Sequence, residues 1–245
     1  VQEPSERLFY SAKAILLEIP MSQEEMCDAV VETCRANQIE NGYIRLIVTR
    51  GAGSLGLSPD SCPKPGVIII ANTIQLYPRE IYENGMEIIT AATSRNYVNA
   101  VNPAIKSLNY LNNILAKIEA SNAGCEEAIM LNSEGFVAEC TGDNIFILHK
   151  GTIYTPPLAA GALYGITRNT VIDLAREAGF KVEEKNLTRY DLFIAEECFL
   201  TGSGAEIVPV VMIDKRIIGS GKPGDVTRKL EEKYHALTHV SGEPI

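Results

Sequence analysis

Asn102-Pro-Ala-Ile-Lys106-Ser-Leu-Asn-Tyr110, followed downstream by Gly135-Phe-Val-Ala-Glu139-Cys-Thr-Gly-Asp-Asn144, decides how this chain is read. The lysine stands at the mouth of a stretch that reads as an amphipathic helix from about Ser107 to Ser121. Leu108, Leu111, Leu115 and Ile118 are its expected buried stripe, with Tyr110 and Ile114 beside it. A lysine at a helix start is usually a solvated charge. Here Ile105 and Leu108 flank it, and desolvation lowers an amine pKa and favours nucleophilic chemistry. Glu139 ends an apolar strand, where a carboxylate must meet a cation or a protonated nitrogen.

Outward from these stretches, residues 5–18 read as a helix with Ser5 as N-cap and Leu8, Ala12, Ile15 and Leu16 on one face. Ser22-Gln-Glu-Glu25 is a capping box opening a second helix that carries Met26, Val30, Val31 and Cys34. Strands are expected at 43–50 and 66–73. Gln75 to Gly85 loses apolar periodicity and reads as a linker. Beyond it lie a strand at 86–93, the lysine helix, short strands at 126–132, 136–140, 144–149 and 152–155, and a helix at 168–178 ending at Gly179. Strands near 181–186, 197–201, 207–211 and 216–218 precede a last helix from 224 to 237. The pattern is α+β with largely antiparallel pairing, in two domains: residues 1–79 and residues 80–245.

Composition narrows the function. Across 245 residues the net charge is −9, which argues against a nucleic-acid binder, because such proteins need a basic face. No apolar run approaches a membrane span, the N-terminus lacks a signal-peptide layout, and a cytoplasmic location is the default. Six scattered cysteines without a C-x-x-C pair, and three histidines away from them, argue against structural zinc; reduced apolar thiols are expected.

Two turns complete the constellation. Gly165-Ile166-Thr167-Arg168 sits where a loop becomes a helix, so free N–H groups and a hydroxyl can hold a phosphate; the plainer reading is a Thr N-cap with an exposed Arg168. Thr201-Gly-Ser203-Gly204-Ala205 offers further N–H donors among small side chains, or is simply a tight strand-to-strand turn. An amine nucleophile, a carboxylate for a ring nitrogen and two anion-compatible turns together suggest a pyridoxal 5′-phosphate enzyme.

Residues 105–120 closely resemble the cofactor-lysine segment of fold-type IV aminotransferases, particularly branched-chain amino-acid aminotransferases. The resemblance continues through Glu126-Glu-Ala-Ile-Met-Leu-Asn132, Gly135–Phe146, Gly165–Arg168, Thr201–Pro209 and Gly221-Lys-Pro-Gly224. It implies the two-domain fold of the D-amino-acid aminotransferase type, with the small domain lacking its N-terminal strands, since the family ordinarily has several dozen residues before the Arg7 helix. By the same resemblance Lys106 is the Schiff-base lysine and proton shuttle, Glu139 the pyridine-nitrogen partner, and Tyr110 the phenol on the ring hydroxyl. Arg7, Ile166, Thr167 and Ser203 are implied as the phosphate cradle and Leu163 as the residue packed on the ring. Tyr43 and Arg45 match the strand that reads the substrate, and Gly204 and Ala205 the turn that holds the α-carboxylate. The implied reaction moves an amino group from leucine, isoleucine or valine to 2-oxoglutarate, in a homodimer or higher homo-oligomer. Partners are therefore amino acids and 2-oxo acids, not nucleic acid or membrane. The alternatives are a D-amino-acid aminotransferase, in which an apolar residue tends to replace Tyr110, an aminodeoxychorismate lyase, or a catalytically silent binder of the cofactor.

Overall fold

The computed structural model describes residues 2–73 and 76–242, so Gln75 lies outside the described residues. The described residues separate into two compact units, one formed by residues 2–73 with 241–242, the other by Leu76–Val240.

The smaller unit contains helices α1 (Gln2–Ala14) and α2 (Gln23–Ala36) and an antiparallel hairpin of β1 (Tyr43–Thr49) and β2 (Gly66–Asn72). The α2 capping box forms as expected: Glu25 N donates to Ser22 Oγ at 3.2 Å, and Ser22 N donates to the Glu25 carboxylate at 2.7 Å. Met26, Val30 and Cys34 are buried along one face. Helix α1 departs from its expected bounds. Glu3 and Pro4 suit a first helical turn, so the helix starts before Ser5, which lies inside it. It stops at Ala14 because Leu16, at φ +51°, closes a Schellman motif in which Leu17 N donates to Ala12 O and Leu16 N to Lys13 O. Ile15 and Leu16 are consequently exposed rather than part of a buried face.

The larger unit is built on one mixed sheet. Its strands are β3 (Met86–Thr90), β4 (Glu127–Leu131), β5 (Val137–Cys140), β6 (Asn144–His149), β7 (Thr152–Thr155), β8 (Lys181–Glu184), β9 (Glu197–Gly202), β10 (Glu206–Ile213) and β11 (Arg216–Ile217). They lie in the order β5-β4-β3-β10-β9-β6-β7-β8, with β11 paired to β10. Most neighbours are antiparallel, but β3 runs parallel to β4 and β10, and β7 parallel to β8. Two of these parallel pairs are joined by crossover helices, as such pairs require: α4 (Leu111–Asn122) links β3 to β4, and α5 (Ile166–Glu177) links β7 to β8. Helix α5 gives way to Gly179 at φ +87°, the expected stop. Helix α7 (Asp225–Thr238) packs beside α5 over a cluster in which Phe146 and Phe199 stack with centroids 5.0 Å apart. Two short helices were not legible: α3 (Arg79–Asn84) lies in the stretch read as linker, and α6 (Arg189–Phe193) is opened by a Thr188–Asp191 capping box.

Helix α4 corrects the reading of its own faces. Asn113, Ala116 and Ala120 are buried, and the two alanines pack with Ala91, Ala128 and Met130. Leu111, Ile114, Leu115 and Ile118, expected inside, are half or more exposed or nearly so. Small residues let the helix lie close on β4, and that approach turns the leucine stripe outward. We therefore expect Ala116→Leu to overpack this contact and cost about 1–3 kcal/mol in urea unfolding. Leu108→Ala, at a side chain 72% exposed, should stay within about 0.5 kcal/mol. An unchanged midpoint for Ala116→Leu would refute the assigned face.

Candidate active site

Lys106 does not begin a helix. Residues before Leu111 form a run of turns, held by Asn102 Oδ1 accepting from Ala104 N at 3.0 Å and Ser107 Oγ accepting from Asn109 N at 3.2 Å. Short polar side chains here satisfy the backbone locally and delay the helix. The result places Lys106 Nζ 3.3 Å from the Tyr110 hydroxyl, with both side chains open to solvent.

Glu139, on β5, is 5% exposed and belongs to a closed network. Arg95, also buried, donates from Nη2 to Glu139 Oε1 at 2.6 Å, from Nη1 to Asn113 Oδ1 at 2.8 Å and from Nε to Gly161 O at 3.2 Å. Asn113 passes the link on, donating to Thr141 O at 2.7 Å. Glu139 Oε2 accepts from Leu163 N at 2.8 Å and from Asn144 Nδ2 at 3.1 Å. Burial pushes the Glu139 carboxyl above the usual range, while Arg95, the Leu163 amide and Lys106 pull against it. A carboxylate offers about four acceptor positions, and these donors use three, which leaves one on Oε1. The lysine turn is thus tied to Glu139 through α4, by way of Arg95 and Asn113. Neither of these two was singled out from sequence. The available signal was the demand of a buried carboxylate for a cation.

The two glycine-bearing turns converge on the same connection, the turn between β5 and β6. Gly165 is the N-cap of α5 and lies so close to Asn144 that a Cβ there would strike its Oδ1. Gly202 approaches Asp143 in the same way, a Cβ there striking its Oδ1. Residues 139–144 therefore lie between both turns. The Thr N-cap alternative fails, because Gly165 caps α5 without a side chain and Thr167 is the second residue of the helix. Arg168 is buried rather than exposed, donating to Pro156 O at 3.0 Å and pairing with Glu184 at 2.9 Å. The first amides of α5 are left without intrahelical acceptors. Thr201, paired across strands with Asn144, carries a buried hydroxyl with no hydrogen-bond partner among the described residues. Leu163 is half-buried, Ser203 exposed, Gly204 half-buried and Ala205 buried in the loop between β9 and β10. In the smaller unit, Arg7 lies on α1. Tyr43 and Arg45 share one face of β1, the guanidinium 5.9 Å from the ring centroid.

A second acidic group adjoins the site. Glu127 accepts from Ala128 N, Thr141 N, Thr141 Oγ1 and Gly142 N. Asp143 accepts from the Tyr77 hydroxyl at 3.2 Å. Burial, then the Glu127 charge, pushes Asp143 up to about 7 against the Tyr77 hydrogen bond. Its ordinary value is 3.8, so between about 4 and 7 the folded protein holds a proton that the unfolded chain has released. The stabilising contribution of this site is therefore complete below the unfolded pKa and is lost as pH rises through the folded one. Asp143→Asn should gain about 2–3 kcal/mol over the parent between pH 5 and pH 8. Urea melts at the two pH values measure this, and an equal gap at both would show that Asp143 is ionised in the fold.

Among the described residues, no group of three metal-ligating side chains is assembled, and no helix is long and apolar enough to cross a membrane. The pattern of the Amino-transferase class IV family matches residues 5–213. A branched-chain-amino-acid aminotransferase of Pseudomonas aeruginosa is 42% identical over 245 residues, 99% of this chain and 78% of its own length. The crystal structure of the Escherichia coli branched-chain amino acid aminotransferase matches with a TM-score of 0.94 at 34% identity, covering 96% of this chain and 78% of that one. The crystal structure of the branched-chain amino acid aminotransferase from Thermobaculum terrenum, in its PLP form, matches with a TM-score of 0.89 at 32% identity, covering 97% of this chain and 78% of that one. With a lysine turn, a braced buried carboxylate and two anion-compatible turns already gathered in one unit, these matches settle the family: the chain belongs to the class IV aminotransferases.

Proposed function

We propose that this protein transfers the amino group of branched-chain L-amino acids to 2-oxoglutarate, with pyridoxal 5′-phosphate as cofactor. The observation that carries the reading is the convergence of both glycine turns on the Glu139–Asn144 segment between β5 and β6, which the Arg95–Asn113 network joins to the lysine segment. The residues fit such a cofactor. Glu139 Oε1 retains an acceptor position for a protonated ring nitrogen, and the uncapped start of α5 suits a phosphate. The unpartnered Thr201 hydroxyl lies on the same sheet face as Asn144.

Bound there, pyridoxal 5′-phosphate supplies an electrophilic carbon for amino groups and a ring that takes up the electron pair left when the substrate Cα–H bond breaks. Lys106 Nζ would carry the covalent link and move the proton from Cα. Glu139, held by three donors, would keep the ring nitrogen protonated. Tyr110 would hold the ring hydroxyl and Leu163 would pack on the ring; Ile166, Thr167 and Ser203 would hold the phosphate, the role that the family resemblance also gives Arg7. Gly204 and Ala205 bind the α-carboxylate. Tyr43 and Arg45 read the side chain, the guanidinium pairing with a γ-carboxylate while aliphatic substrates pack past it. A homo-oligomer belongs to the same reading, supported by the apolar stripe that α4 leaves in solvent. The six free cysteines support a cytoplasmic location.

Transamination of L-leucine, L-isoleucine and L-valine against 2-oxoglutarate tests the reading, and faster turnover of D-amino acids would overturn it. Lys106→Ala should abolish transamination and the cofactor's visible absorbance while leaving the fold intact. Borohydride treatment and peptide mapping of the parent should place the cofactor mass on Lys106, and an adduct on another lysine would refute the assignment. Arg45→Ala should slow the half-reaction with glutamate far more than that with leucine. Loss of one charge-assisted hydrogen bond, about 1.5–3 kcal/mol, corresponds to about tenfold to over a hundredfold in kcat/KM. Equal losses for both donors would remove Arg45 from the γ-carboxylate.

A further inference from the structure

Glu127, the first residue of β4, is buried beside the point where β5 leaves the sheet. Ile129 opposite Cys140 is the last pair at that end of the β4–β5 ladder, so the amides that follow in the chain need another acceptor. The Glu127 carboxylate supplies it. Oε1 accepts from Thr141 N at 3.1 Å, from Thr141 Oγ1 at 2.5 Å and from Ala128 N at 2.7 Å, while Oε2 accepts from Gly142 N at 3.1 Å. Thr141 is thereby held on every polar atom, because its carbonyl accepts from Asn113 Nδ2 at 2.7 Å. Asn113 Oδ1 accepts from Arg95 at 2.8 Å, and Arg95 donates to Glu139 Oε1 at 2.6 Å. Cys140 alone separates Thr141 from Glu139 along the chain. A ring of contacts therefore runs from Glu139 through Arg95, Asn113 and Thr141 back to Glu139, and Glu127 fixes it to β4.

We propose that Glu127 is a positioning residue for Glu139: by fixing the Thr141 peptide it sets the direction in which the Glu139 carboxylate meets the ring nitrogen of the cofactor. This rests on the reading of Glu139 as that nitrogen's partner. Glutamine at position 127 keeps the shape of the side chain but offers one acceptor oxygen, and its nitrogen only donates. Whichever way the amide turns, at least one N–H of the Thr141–Gly142 pair then faces another donor, and a buried donor without an acceptor forces the turn to shift. A shift of about 1 Å in a supporting group is enough to misdirect the group it supports. Asn113 and Arg95 transmit the shift to Glu139, since both depend on where the Thr141 carbonyl stands.

The experiment titrates cofactor-stripped protein with pyridoxal 5′-phosphate and, separately, with its 1-deaza analogue, in which carbon replaces the ring nitrogen, following absorbance. The parent should prefer pyridoxal 5′-phosphate, because only that ligand offers Glu139 a proton. Glu127→Gln should raise the Kd for pyridoxal 5′-phosphate about tenfold and that for the analogue less than about twofold. In a Glu139→Gln background the same substitution should leave the ratio of the two Kd values unchanged. Thr141→Val removes the hydroxyl donor and keeps Glu127. It should move the ratio in the same direction by about threefold, and it carries the test if Glu127→Gln does not fold. Equal weakening of both ligands would make Glu127 a scaffold residue and overturns the proposal. So does an unchanged ratio, or a Glu127→Gln effect on the ratio that persists without Glu139. If the parent itself does not distinguish the two ligands, the ring-nitrogen reading of Glu139 falls, and this proposal with it. A parent that prefers pyridoxal 5′-phosphate while Glu127→Gln matches it removes the proposal alone.

Discussion

The ion pair between Arg95 and Glu139 is the constraint on which the larger unit depends. Two opposite charges at 2.6 Å, both nearly excluded from water, are tolerable only because the remaining polar atoms are also engaged. Arg95 reaches Gly161 and Asn113 with its other nitrogens, and Glu139 takes donors from Leu163 and Asn144. Each contact ties a different part of the chain to one carboxylate: the loop after β3, helix α4, strand β6 and the approach to α5. Breaking a pair of this kind costs about 3–5 kcal/mol, since the surviving charge has no solvent to turn to. The network thus stabilises the unit and aims a carboxylate with three donors among the described residues and about four acceptor positions.

Carboxylates serve as backbone anchors throughout this unit. Glu119 on α4 accepts from Ala92 N, Thr93 N and Thr93 Oγ1, which pins the helix to the end of β3. Asp214 binds Thr90 through both its amide and hydroxyl. Glu197 on β9 accepts from Val226 N, Thr227 N and Thr227 Oγ1. It caps α7 from another strand, because Gly224 offers no side chain of its own. A charged acceptor strengthens each hydrogen bond to about 1.5–3 kcal/mol, and it replaces local caps that the sequence around these termini lacks. The glycines at 165 and 202 complement these anchors. They let a helix start and a hairpin loop come within van der Waals range of Asn144 and Asp143, distances that any Cβ would forbid.

Much of this was legible from local pattern. The capping box at Ser22–Glu25, the stop at Gly179 and most strand positions all follow from interactions between residues close in sequence. Helix α4 shows where local pattern ends. Its leucine stripe and its Asn113–Ala116–Ala120 stripe share the same helical period, and periodicity alone cannot tell which one meets a sheet. Packing distance to β4 chose the alanines. Lys106 likewise sits in turns rather than on the helix, because Asn102 and Ser107 hold the backbone themselves.

What the sequence determined by itself is the chemical inventory: an amine with a neighbouring phenol, a carboxylate required to find a cation, amide-rich turns without side-chain caps, and an acidic chain unsuited to nucleic acid. Each of these depends on residue type and short spacing. What only the tertiary structure decided is which groups answer one another. Arg95 lies 44 positions from Glu139, Thr201 stands across from Asn144, and Arg228 closes on Tyr82 from the far end of the unit. Such pairings are set by sheet order and crossover helices. The free energy that selects among possible partners for a buried charge or hydroxyl comes from excluding water around the whole network, a property of the assembled fold rather than of any segment.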